Sequence, residues 1–184
     1  MNSRELRDKI LSDDVDSSLL RNRRLFLYKD IDEDTGLEIV KKIMTLDSRR
    51  KSNIYLYINS SGGAMCYGNA IIEAMLRSKS AIITIVSGEA CSMAGMISVH
   101  GDKRLIESSA YWMAHDIYGG VDGDESAHKI IKRTGYVERL QADMKKMYKL
   151  RTKLTDEEIN DALHGELWLN ADECMKKGVA DKIV

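Results

Sequence analysis

Ser92 lies in the stretch Gly88-Glu89-Ala90-Cys91-Ser92-Met93-Ala94-Gly95, after a run of β-prone apolar residues and before small, helix-compatible ones. Such a place is the N-terminus of a helix, where free backbone N–H groups and the positive end of the helix dipole suit a developing oxyanion. Taken alone, Ser92 reads as an N-cap, because serine is strongly preferred there. A second feature is Gly62-Gly63, at the end of the preceding apolar run. Glycine lets a backbone amide approach a substrate carbonyl closely, although the pair reads equally well as a tight turn. The third is His115, which ends the apolar run from Tyr111 to Ala114. Of His100, His115, His128 and His164, it alone stands between a strand and a Gly-Gly loop, Gly119-Gly120. A neutral imidazole within reach of Ser92 can accept its proton, and a carboxylate on the other ring nitrogen would fix the tautomer.

These residues act together only if strands and helices bring them to one place. Leu25-Phe26-Leu27-Tyr28 is a short β-prone run. Thr35 and Glu38 form a capping-box pattern ahead of Leu37, Val40, Ile43 and Met44 at helical spacing. Ile54-Tyr55-Leu56-Tyr57-Ile58 is uninterrupted enough for a strand buried on both faces, and it stops at Asn59-Ser60-Ser61-Gly62-Gly63. A helix through Met65, Ile71, Ile72, Met75 and Leu76 follows, then the strand Ile82–Val86 and a turn at Ser87-Gly88. The order β-α-β-α-β predicts right-handed parallel crossovers with ligand sites at the carboxyl ends of the strands, where both glycine turns lie.

Leu105-Ile106 and Tyr111-Trp112-Met113 read as further short strands, and 126–151 as one long helix. Its Ile130, Val137, Leu140, Met144 and Met147 follow a and d positions, a seam for another helix; Gly135 predicts a kink or a close contact. Thr155 with Glu158 and Asn170 with Glu173 cap two more helices, the last ending at Lys176-Lys177-Gly178.

Composition narrows the function classes. With 184 residues the chain holds one domain, and 28 basic against 29 acidic side chains leave no charge excess to attract nucleic acid. No apolar run approaches the roughly 18–20 residues that span a bilayer, and the charged start lacks a secretory h-region, so a cytoplasmic location is expected. Three widely spaced cysteines, with no CxxC pair, predict reduced, packed thiols. No GxxxxGK[ST] loop and no His/Cys cluster are present, so no nucleotide or metal cofactor is expected. Residues 1–24 are polar and charged and are expected to be an N-terminal arm ahead of a 25–184 domain.

Four segments together resemble a known family. They are Ile54–Gly63, Gly88–Met93, Met113-Ala114-His115, and Trp168–Glu173 followed by Gly178-Val179-Ala180-Asp181. In order and spacing they resemble the proteolytic subunit of the Clp protease, ClpP. The resemblance runs from about Arg24 to Val184 and implies an α/β protein of the ClpP/crotonase fold, with parallel β-α-β units and a protruding handle helix at about 126–151. It implies a serine endopeptidase with Ser92 as nucleophile, His115 as general base, and the amides of Gly63 and Met93 as the oxyanion hole.

The family's third triad member is an Asp two residues before the aromatic that matches Trp168. Here that position is Glu166, which becomes the expected orienting acid, with Asp161 and His164 as alternatives. Implied partners are peptide or unfolded-protein substrates, further copies of the chain in stacked seven-membered rings, and a Clp ATPase; neither nucleic acid nor membrane is expected. Ser61 and Ile117 stand where the family commonly has proline, and Arg77 where it often has an aromatic of the ATPase-docking pocket, while Tyr55 and Tyr57 match other residues of that pocket. The chain thus reads as a divergent member, such as a phage-encoded or paralogous subunit. The competing readings are a crotonase-type acyl-CoA enzyme, which would need the paired amides but neither Ser92 nor His115, and a catalytically silent ring subunit.

Overall fold

The computed structural model describes residues 14–49, 51–118 and 126–184. Its elements are α1 (14–21), β1 (Arg24–Leu27), α2 (Glu33–Arg49), β2 (Ile54–Ser60), α3 (Met65–Arg77), β3 (Ile82–Cys91), α4 (Met93–Ser98), β4 (Lys103–Ile106), β5 (Tyr111–His115), α5 (Ala127–Arg151), α6 (Asp156–His164), β6 (Glu166–Asn170), α7 (Ala171–Lys176) and β7 (Lys182–Ile183). Strands β1, β2, β3, β4 and β7 form a parallel series in that order, so the expected β-α-β crossovers are present.

Strand β3 serves two neighbours. Ile83–Val86 pairs with Lys103–Ile106 of β4, and Glu89–Cys91 pairs with Tyr111–Met113 of β5. Strand β5 in turn carries β6, the antiparallel member. The expected turn at Ser87-Gly88 is instead a bend within β3, marked by a register shift against Ile58–Ser60. Gly88 has φ +110°, and a Cβ there would stand 2.5 Å from Asn59 Oδ1, which accepts a hydrogen bond from the Glu89 amide at 3.1 Å. The Asn59 side chain fills the bend and lets the strand continue.

Strand β2 is not buried on both faces. Ile54, Leu56, Ile58 and Ser60 are buried, whereas Tyr55, Tyr57 and Asn59 are half-buried. Phe26 stacks on Tyr57 with ring centroids 5.1 Å apart, so that face carries an aromatic covering. Helix α2 starts at Glu33, ahead of the expected Thr35. Asp32 caps it, its carboxylate accepting from the Thr35 amide at 2.8 Å, and that bond holds the Asp32 carboxyl below the usual carboxylate range. The capping boxes Thr155/Glu158 and Asn170/Glu173 form as expected, and Gly178 takes the left-handed conformation after α7, φ +64°.

Of the stretch expected to be an arm, 1–13 lies outside the described residues and 14–21 is helical, with Leu20 packed on the core. Arg23, also φ > 0, is buried. Its guanidinium donates to the carbonyls of Leu46, Ser52 and Asn53 and to Ser80 Oγ at 2.8–3.1 Å, joining the start of β1 to the end of α2 and the loops before β2 and β3. Helix α5 is unbroken through Gly135, where an added Cβ would meet nothing within 4 Å among the described residues, so no close contact is found there. Met144 and Tyr148 anchor its second half in the core, while Ile131 and Tyr136 of the first half are 69% and 55% exposed. Among the described residues, no helix is long and apolar enough to cross a membrane.

Replacing Arg23 by Ala removes hydrogen bonds to three carbonyls and to Ser80 Oγ, of which those to Leu46 and Ser80 are buried. Urea denaturation should show a loss of about 3 kcal/mol, the range for a buried, charge-assisted network.

Candidate active site

Two turns meet where β2 and β3 leave the sheet. After β2, Gly62 and Gly63 have φ +106° and +139°. The Ile31 amide donates to the Gly62 carbonyl at 2.7 Å, and the Ala64 amide donates to the Ile31 carbonyl at 2.8 Å. In such a parallel bridge the intervening residue's own amide faces the other way, so the Gly63 N–H points away from Ile31. Although Ser61 stands where the family commonly has proline, the turn is held by side chains. Ser61 Oγ donates to Asp30 Oδ1 at 2.7 Å, and Ser60 Oγ donates to the Lys29 carbonyl at 2.7 Å while accepting from the Gly62 amide at 3.1 Å.

After β3, Ser92 occupies the N-cap position of α4 with φ +55° and ψ −122°, and its hydroxyl makes no capping bond. The cap reading therefore does not account for it. Backbone bonds fix the turn on both sides: the Ser92 amide donates to the Met113 carbonyl at 2.9 Å, and the Met96 amide donates to the Ser92 carbonyl at 3.0 Å. A non-glycine residue held at positive φ on a strand-to-helix turn costs about 1–3 kcal/mol and presents its side chain outward. Met93 opens α4, so its amide belongs to the first turn, which no intrahelical carbonyl serves.

A cavity of about 320 Å³ joins these pieces. Ser92, His115, Gly63 and Met93 all line it, together with Ser61, Asn69, Asp116 and Tyr118 and the apolar side chains of Met65, Met96, Ile117, Met144 and Met147. The His115 ring packs against that of Tyr118, centroids 4.7 Å apart, and its Nδ1 is buried with no partner among the described residues. A buried polar atom left unserved costs about 1–3 kcal/mol, so this nitrogen marks a place where a partner is wanted.

Glu166 lies directly opposite His115 in the β5–β6 ladder, but its Oε2 accepts from Trp168 Nε1 at 2.9 Å. The other two candidates are elsewhere. Asp161 is exposed on α6, outside the cavity lining, and His164 Nδ1 donates to the Asn160 carbonyl at 2.7 Å. The Gly119-Gly120 loop lies outside the described residues. Asp116 is a site residue that the motifs did not reveal: its Oδ1 accepts from the Ile117 amide and from Gln141 Nε2, both at 2.6 Å, tying α5 to the loop after β5. The only signal was an acidic residue directly after a strand-end histidine. Met144 and Met147, read as part of a helix seam, also line the cavity.

Cys91, beside Ser92, is no competitor for the nucleophile's role. It is buried, and burial together with the carboxylates of Glu89 and Glu166 pushes its thiol up to about 12.

A parallel β-α-β sheet with serine, histidine and two amides gathered at its strand ends defines an α/β enzyme of the crotonase-like class. Sequence comparison places it within that class. A sequence model of the Clp protease family matches residues 7–184, and the chain belongs to this family. Proteins named ATP-dependent Clp protease proteolytic subunit are similar to it. That of Chlorella vulgaris is 30% identical over 173 residues, covering 92% of this chain and 85% of the relative. Those of Streptococcus mutans and Oltmannsiellopsis viridis are 29% and 30% identical, covering 93% and 92% of this chain and 89% and 88% of the relatives. The chain is accordingly a peptidase of the Clp type.

The thiols give a direct check on the site. Cys174, like Cys91, is pushed up to about 12 by burial, so at pH 8 only about one thiol in 10,000 at either position is ionised, whereas Cys66 is exposed. Iodoacetamide at pH 8 should add a single adduct to the native protein, on Cys66 by peptide mapping.

Proposed function

We propose that the chain is a serine endopeptidase in which Ser92 is the nucleophile, His115 the general base, Glu166 the acid that orients the imidazole, and the Gly63 and Met93 amides the oxyanion hole. The observation that carries this reading is the conformation of Ser92: a serine at φ +55°, free of any capping bond, in the same cavity as a histidine.

The chemistry follows from these positions. Ser92 Oγ attacks the peptide carbonyl carbon while its proton passes to His115. The carbonyl π electrons move onto oxygen, and the two amides stabilise that charge, each worth about 100- to 1,000-fold in rate. The imidazolium then protonates the leaving amine as the C–N bond breaks. Water, deprotonated by the same histidine, attacks the acyl ester and frees Ser92. The methionine-rich wall offers a deformable apolar pocket to a substrate side chain.

Assembly is part of the same proposal. Ile130, Ile131 and Tyr136 leave apolar side chains uncovered around the projecting half of α5, which suits contact with further copies of the chain, consistent with stacked rings that enclose the site. A Clp ATPase would supply unfolded protein to that chamber, docking on the face that carries Tyr55 and Tyr57. Arg77 pairs with Glu73 at 3.1 Å on the exposed side of α3, a bridge worth at most about 1 kcal/mol.

Ser92→Ala should abolish hydrolysis of a fluorogenic peptide and labelling by a serine-directed phosphonate, while circular dichroism and assembly stay unchanged. Activity surviving this substitution would remove the assignment. Native mass spectrometry at micromolar concentration should show a species of many 20.8 kDa subunits, and a lone subunit would remove the chamber. That assembly should degrade a folded, tagged protein only when a Clp ATPase and ATP are added.

A further inference from the structure

Glu166 and Trp168 stand on one face of β6, because strand side chains alternate, and they face His115 and Met113 across the ladder. Directly opposed residues in an antiparallel pair hold their Cβ atoms about 5 Å apart, which leaves the Glu166 carboxylate able to swing between two N–H groups. One is the indole N–H of Trp168, which it accepts at 2.9 Å. The other is Nδ1 of His115, buried and without a partner among the described residues. Asp116, which follows His115 in the chain, has its Oδ1 engaged by the Ile117 amide and by Gln141. Tyr118 packs on the imidazole ring at a tilt of 35°.

We propose that Trp168 is a positioning residue that acts through Glu166: its indole N–H holds the carboxylate away from His115, and the triad closes when Glu166 exchanges that N–H for Nδ1–H of the imidazole. The inference rests on the assignment of Ser92, His115 and Glu166 made above. The exchange moves no proton; the carboxylate gives up one charge-assisted hydrogen bond and accepts another. It leaves no buried donor unserved, because Trp168 is 47% exposed and its N–H can turn to water, whereas Nδ1 of His115 gains the partner it lacks. Closing relieves the unserved nitrogen and gives up one exposed, charge-assisted hydrogen bond, and the indole, by competing for the same carboxylate, sets how much of the population stays open. An aromatic without an N–H at this position would pack the same way and hold nothing back.

The test is steady-state hydrolysis of a fluorogenic peptide by the assembled full-length protein and by W168F, W168M, E166Q and W168F/E166Q. Either loss of the indole N–H should raise kcat about threefold to tenfold, the rate equivalent of one released hydrogen bond, with KM within about twofold of the parent value. That gain should vanish in the E166Q background, because Trp168 acts only through this carboxylate. If W168F and W168M both leave kcat unchanged or lower it while E166Q is severely impaired, the latch is overturned and the triad stands. A gain that persists in W168F/E166Q overturns the latch as well, by showing another route. E166Q working at the parent rate overturns the role of Glu166 and the latch together, and the Ser92→Ala result tells whether the wider serine-peptidase reading survives.

Discussion

A methyl group on Gly62 would stand 2.7 Å from the Cys91 carbonyl and 2.8 Å from Ser92 Cβ, and this near-contact is the constraint that shapes the site. Adjacent parallel strands leave a sheet at the same end, so the turns after β2 and β3 must share one volume. They can do so only if one contributes backbone alone. Gly62 meets that need, and the bridge from Ile31 then directs the Gly63 amide away from residue 31. With Ser92 fixed by the Met113 carbonyl on one side and the Met96 amide on the other, the proposed nucleophile and both candidate oxyanion donors derive from three short, interlocked backbone segments.

Such an arrangement holds strain because the surroundings over-determine it. Ala90, Cys91, Met93 and Ala94 are all buried, and β3 is buried along Ile82–Val86 before it reaches the turn. The left-handed backbone at Ser92 costs about 1–3 kcal/mol, a small amount against the apolar surface packed on either side. The other wall of the cavity is built differently. It comes from α5, held to the rest by Met144, Met147 and the bond from Gln141 to Asp116, while the helix beyond runs out uncovered. The candidate catalytic groups thus stand at strand ends and in the turns that follow them, and the opposite wall of the cavity stands on a helix whose first half is exposed.

What was legible in the sequence was local. Apolar runs marked β2, the first half of β3 and β5, and Thr155 and Asn170 announced their helices because a capping box is a contact between residues three apart. What failed was long-range or depended on a side chain filling space. Residues 87–88 read as a turn because the Asn59 side chain that bridges the bend comes from another strand. Thr35 read as a cap because its pattern with Glu38 is indistinguishable in sequence from the one that won, in which Asp32 captures the Thr35 amide. Glu166–Asn170 did not read as a strand at all: it is five residues long, at the sheet edge, with only Leu169 fully buried. The site was legible as residue types and spacing, yet the decisive fact about Ser92, a backbone angle that its residue type does not favour, comes from the packing of Gly62 against it.

That fact also weighs between the two enzyme classes open to this fold. An enzyme that stabilises an enolate with paired amides needs Gly63 and Met93 but gains nothing from the side chains of Ser92 and His115. In such a protein the most stable local solution is a relaxed N-cap whose hydroxyl serves the first turn of α4, and an imidazole either exposed to water or fully hydrogen-bonded. Here the hydroxyl caps nothing, the backbone beneath it is strained, and beside the same cavity a buried ring nitrogen lacks a partner among the described residues. Each feature opposes stability by about 1–3 kcal/mol. The proposed chemistry accounts for both costs, since in it the hydroxyl must be free to attack and the imidazole must be free to receive its proton and to be oriented by a carboxylate.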